Sequence, residues 1–188
     1  MTRFYPFFAL IVCIGILTGC SDDEWIGGGV WPVALHLEVT DADGNSLLDY
    51  YNNPDNIIVN EDTRAQIKAV EGEVTYPLVL SDEIPLTTAQ KTASRAAAPV
   101  HFYGLYLSEG NFNMYTGGNG PYISFGSFEG DKEVNRSITL YLPRCEKGIN
   151  IDYRRVKDPK SSGGLRTVIL IDGVEQHDEI PRIIIPDK

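Results

Sequence analysis

The sequence predicts an all-β domain, specifically an antiparallel β-sandwich, on three observations. Short runs alternate apolar and polar residues, clusters of Gly, Pro, Asp and Asn separate them, and no long segment carries a helical apolar period. A sheet with one face in a core and one in water has this period of two, and turns at short intervals favour paired antiparallel sheets over an α/β arrangement.

Ahead of the strands, Met1 to Gly19 has the layout of a secretory signal peptide. A short start with one cation, Arg3, leads into the apolar run Phe7 to Leu17 and ends in small residues, Thr18 and Gly19. The run is short for a bilayer span, which takes roughly 20 apolar residues, and the acidic block Ser21-Asp22-Asp23-Glu24 follows it directly. Leu17-Thr18-Gly19-Cys20 resembles the lipobox of bacterial lipoproteins in all four positions. That resemblance implies diacylglycerol on Cys20 and removal of residues 1–19. Ser21 to Glu24 is similar to the acidic export signal that carries some lipoproteins of Gram-negative gut commensals to the cell surface. The implied address is the outer membrane and its outer face, with the periplasmic face as the alternative. Residues 20–32, with Gly27-Gly28-Gly29, read as a flexible tether.

The domain proper is expected over 33–188, long enough to bury a core without staples. Val33 to Val39 alternates and ends at the turn cluster Asp41-Ala42-Asp43-Gly44-Asn45. Asn56 to Val59, Ala65 to Val70 and Val74 to Val79 are further β-rich runs, divided by Asn60-Glu61-Asp62 and Glu71-Gly72. Residues 81–99 lack a period and read as a long exposed loop with one candidate helix, Thr87 to Ala96. The loop either divides two sub-sheets or inserts at one end of the sandwich. Alternation resumes at His101 to Leu107, Tyr122 to Phe128 and Ser137 to Leu142. Ile149 to Tyr153, Thr167 to Ile171 and Ile183 to Ile185 complete the set, with a hairpin signal at Asp172-Gly173. The opening strand with Asp41 to Asp49, and the closing Val168 to Gly173, resemble short surface lipoproteins of the same commensals. That likeness implies an immunoglobulin-like or transthyretin-like sandwich and carries no chemistry.

Charge and cysteine content restrict function. The net charge of −10 argues against nucleic acid or anionic lipid as an electrostatic partner. Arg154-Arg155 with Lys157 and Lys160 is the densest basic spot, and Asp152 and Asp158 sit within it. Cys13 leaves with the leader and Cys20 takes lipid, so Cys145 stands alone and reads as a strand-end thiol rather than a nucleophile.

Two constellations are candidate sites in the domain. Asp41, Asp43, Asn45 and Asp49 place oxygens at alternate positions, as a Ca²⁺ loop does, although Gly44 and the missing Glu depart from the EF-hand pattern and a plain turn explains the same residues. Tyr115, Asn119 and Tyr122, with Phe112, flank the glycine-rich stretch Thr116 to Gly120. Such parts can stack on a pyranose and meet its hydroxyls, or the aromatics can simply point into the core. His36, His101 and His177 have no partner at metal-ligand or triad spacing, so no cofactor and no catalytic residue is expected. The resulting expectation is a non-enzymatic, lipid-anchored accessory protein of the envelope that meets the membrane through its lipid and a glycan or another envelope protein through its domain. A carbohydrate-binding module is the alternative, and a small hydrolase with an unlocated carboxylate pair comes third.

Overall fold

Among the described residues, ten strands and one helical turn follow from where the backbone finds partners. The computed structural model describes residues 33–80, 83–84, 102–108, 121–161, 164–178 and 180–186. The strands are β1 (Val33–Thr40), β2 (Lys68–Glu71), β3 (Val74–Val79), β4 (Leu105–Ser108), β5 (Tyr122–Phe128), β6 (Val134–Tyr141), β7 (Ile149–Lys157), β8 (Leu165–Ile171), β9 (Val174–Gln176) and β10 (Arg182–Ile184). They form one curled, mixed sheet in the order β10-β1-β5-β4-β3-β2-β6-β7-β8-β9.

Two pairings are parallel, which corrects the expectation of an antiparallel fold throughout. β3 runs beside β4 with Leu78 opposite Leu105, and β1 runs beside β10 with Glu38 opposite Arg182. A parallel pair needs a crossover of a dozen or more residues. The aperiodic stretch 81–99 lies within the β3–β4 connection, so its length is what a parallel crossover requires; nearly all of it, including the candidate helix, is outside the described residues.

β3 serves both halves of the sheet. Val74 to Pro77 pair with β2, and Leu78 and Val79 pair with β4. Pro77 is tolerated because the Leu78 amide donates to the Ile67 carbonyl at 3.1 Å. That makes Pro77, opposite Lys68, a non-hydrogen-bonded position in the β2 ladder.

Turn chemistry sets the hairpins. Asp172 and Gly173 both have positive φ, 48° and 82°, the signature of a two-residue type I′ turn joining β8 to β9. In β5, Gly126 at φ 82° and Ser127 oppose Ala34 alone, a bulge that re-phases the strand. Phe125 and Phe128, three residues apart, therefore both reach the core. Asn56 to Val59 is not a strand: the Asn56 carboxamide oxygen takes the amides of Ile58 and Val59, and only Ile57 reaches a neighbour, at the Leu47 carbonyl. The single helical turn α1 (Glu61–Arg64) starts where Asn60 Oδ1 accepts from the Thr63 amide at 3.1 Å.

The core is shared by the two halves of the curl. Leu35, Leu37, Leu105, Ile123 and Phe125 from one half join Ala69, Leu140, Ile151 and Ile169 from the other. Phe128 of β5 stacks on Tyr153 of β7 at 5.2 Å between ring centroids, across strands that are not sheet neighbours. Cys145 is half-buried against this core, and burial pushes its thiol up from the ordinary value.

Candidate functional site

The acidic turn after β1 closes on itself. Asp41 Oδ1 accepts the Asn45 amide at 2.8 Å and Oδ2 accepts Asn45 Nδ2 at 2.9 Å, while Gly44 at φ 88° turns the chain back so that Thr40 bridges Ser46. These bonds, that from the Asn45 side chain first, hold the Asp41 carboxyl below the usual range. Asp49 faces the other way along the chain and accepts from the amides of Tyr51 and Asn52 and from Asn52 Nδ2, which lowers its carboxyl too. A Ca²⁺ site needs six to eight converging oxygens. The structure pairs Asp41 with Asn45, turns Asp49 to a different loop, and brings together no group of three or more His, Cys, Asp or Glu that could hold a metal among the described residues.

Of the aromatic candidates, Tyr122 is 0 % exposed, so its ring offers no face to a sugar. Among the described residues its hydroxyl has no hydrogen-bond partner, nor does Thr40 Oγ1. Phe112, Tyr115 and Asn119, like Cys20, lie outside the described residues.

Tyr122 belongs to a polar row on the face of β1, β5 and β4 opposite the main core. His36 and Ser124 stand opposite each other, as do Ser124 and Tyr106. His36 Nδ1 and Ser124 Oγ share a hydrogen bond of 2.7 Å, and Ser124 also bonds the Tyr106 hydroxyl. Burial lowers the His36 imidazole and pushes Tyr106 up to about 12. A Ser–His contact is part of a nucleophile-and-base pair. Here Ser124 is 0 % exposed, and a substrate carbonyl has no approach to its oxygen; the bond ties β1 to β5 instead.

The accessible chemistry is at the ends of β2 and β6. Outward-facing Tyr141 sits between two inward residues, Leu140 and Leu142, and is 38 % exposed. Its ring lies against Gly148, just ahead of the neighbouring strand β7: a Cβ there would stand 3.0 Å from the ring and 2.4 Å from Thr139 Cγ2, so only glycine leaves the space that the ring and the methyl fill. Lys68, opposite Tyr141, places its ammonium 5.3 Å from the ring centroid. Two residues further along the same chains, Gln66 and Pro143 line a cleft of about 320 Å³ together with Asp55, Asn60, Thr63 and Arg144. Asn60 Oδ1 is used by the Thr63 amide and Gln66 Nε2 by the Asp62 carbonyl, which leaves Asn60 Nδ2, Gln66 Oε1 and the Thr63 hydroxyl for a ligand. Arg144 has φ 66°, a left-handed conformation costly for a non-glycine residue, and its guanidinium reaches the Asp55 carbonyl at 3.5 Å.

The alternation over Ser137 to Leu142 puts Tyr141 on a strand without marking it as exposed, and nothing local in the sequence signals the cleft. Comparison with protein-family models, with curated proteins and with solved structures finds no match to this chain.

Proposed function

We propose that this chain is a non-enzymatic lipoprotein of the bacterial envelope, anchored in the outer membrane by diacylglycerol on Cys20 and displayed on the cell surface as an accessory capture protein. Leu17-Thr18-Gly19-Cys20, followed by Ser21-Asp22-Asp23-Glu24, is the observation that carries the address. The tether through Gly27 to Gly29 then leads to a β-rich unit, Trp31–Lys188, whose curled sheet we take to close as an immunoglobulin-like or transthyretin-like sandwich. No helix among the described residues is long and apolar enough to cross a membrane. The test is protease shaving of intact cells alongside Cys20→Ala. The expected outcome is loss of the domain from wild-type cells and its release from the membrane fraction in the variant. Protection in wild type would move the domain to the periplasmic face.

A second reading, capture of carbohydrate, is favoured by the Tyr141 ring and the polar cleft beside it.

A further inference from the structure

We propose that Tyr141 and the cleft beyond it form one binding site for a neutral pyranose within a glycan chain, the ring seated on Tyr141 and its hydroxyls meeting the cleft. The proposal deepens the carbohydrate reading above and rests on it, but does not depend on which membrane face the domain occupies.

The first support is preorganisation. An exposed tyrosine ordinarily loses rotamer freedom when a ligand orders it. Tyr141 has part of this restriction already: its ring packs into the space beside Gly148, which the Thr139 methyl also borders. A sugar therefore meets an aromatic surface that is partly in place beforehand, and an aromatic face suits the apolar face of a pyranose. The Lys68 ammonium over the ring is an exposed cation–π contact on a flexible stem, weak enough for a sugar ring to displace.

The second support is the balance of donors and acceptors. A hydroxyl donates and accepts at once. An anion site would present donors, and a cation site acceptors. The cleft presents both kinds: Arg144 and Asn60 Nδ2 donate, Asp55 and Gln66 Oε1 accept, and Thr63 does either. The cleft lining carries one guanidinium, Arg144, and one carboxylate, Asp55, Lys68 at the ring adds one cation, and the chain as a whole is at −10, so it is the overall field of the chain that favours a neutral, polyhydroxylated ligand over a uronate.

The third support is placement. Gln66 and Pro143 sit in the turns just outside β2 and β6, two residues along the chain from the paired Lys68 and Tyr141, so the cleft and the ring lie at the same end of these two strands. The cleft volume of about 320 Å³ is at the small end of ligand sites and fits one or two sugar units rather than a long buried chain.

The test is isothermal titration of the full chain in detergent micelles with gluco-, manno- and galacto-configured neutral hexaoses, and with oligogalacturonate of the same length. At least one neutral hexaose is expected to bind and the oligogalacturonate to bind more weakly. Tyr141→Ala is expected to cost roughly tenfold in affinity, with Tyr141→Phe keeping most of it. Gln66→Ala, at an exposed position, supplies a second reading that does not depend on the ring. Binding to none of the neutral hexaoses overturns the proposal, as does preference for oligogalacturonate. If a hexaose binds but neither Tyr141→Ala nor Gln66→Ala changes its affinity by more than about twofold, this site is wrong while the carbohydrate reading stands. Protease shaving reports on the address alone, so the two failures are separable.

Discussion

Replacing Gly148 by alanine tests how tightly the outer face at Tyr141 is built. The new methyl would stand 2.4 Å from Thr139 Cγ2 and 3.0 Å from two ring carbons of Tyr141. Thr139 can withdraw its methyl only by turning about χ1, and that takes Oγ1 off Asn150 Oδ1, now at 3.2 Å. Overpacking of this kind costs about 1–3 kcal/mol, and the lost hydrogen bond adds about 0.5–1.5 kcal/mol. Alanine returns about 0.5–1 kcal/mol by restricting the unfolded chain. The net expectation is a loss of about 2 kcal/mol, read as a lower urea midpoint at unchanged m. Thr139→Ser removes the closest obstructing methyl and keeps the hydroxyl, so in that background Gly148→Ala should cost clearly less, with only the contact to the Tyr141 ring left to relieve. Additivity of the two substitutions within about 0.5 kcal/mol would refute the reasoning, because it would mean that methyl and glycine do not compete for the same space.

Other expectations concern buried and strained groups. His36 is lowered by burial, so as pH falls below 6.5 the unfolded chain takes up a proton that the folded chain refuses. Stability should therefore decline from 6.5 down to the lowered folded value, and urea midpoints of His36→Gln should lose that part of the pH dependence; parallel curves for the two proteins would contradict it. Arg144→Gly relieves a left-handed residue worth about 1–2 kcal/mol and returns about 0.5–1 kcal/mol to the unfolded chain, for a net gain of up to about 1 kcal/mol in a urea titration, while the cleft loses its guanidinium. Tyr122→Phe removes a buried hydroxyl that has no partner and should raise the melting midpoint, by roughly 1 kcal/mol in stability; a fall would mean that the hydroxyl is satisfied in solution.

Local signals were legible in the sequence and pairings were not. Alternation located β1, β3 and β5, and Asp172-Gly173 announced its hairpin, because both are written in neighbouring residues. The parallel partners of β1 and β3 depend on contacts far along the chain, and no local pattern reports them. The β5 bulge was hidden for a related reason: Gly126 reads as an ordinary strand glycine until its opposition to β1 is known. The mistaken strand at Asn56 to Val59 shows side-chain competition, since an asparagine oxygen can claim amides that apolar neighbours would otherwise commit to a sheet. Tyr122 misled as a sugar contact because Tyr122 to Gly126 are buried at every position, so alternation there no longer separates a wet face from a dry one. The cleft joins residues 55–66 to 143–144, a juxtaposition made by the pairing of β2 with β6.

The parallel pairing of β1 with β10 also sets the timetable of folding. Glu38 and Arg182, joined by an ion pair of 3.0 Å, are 144 residues apart in the chain. The first strand cannot acquire its outer neighbour until almost the whole polypeptide has emerged, and closing so long a loop places the last step among the slow, non-local events that take milliseconds to seconds. Until then β1 keeps an open edge on the side that β10 later covers. A truncation before Pro181 should accordingly leave a chain that aggregates through β1, where a chain that keeps β10 does not.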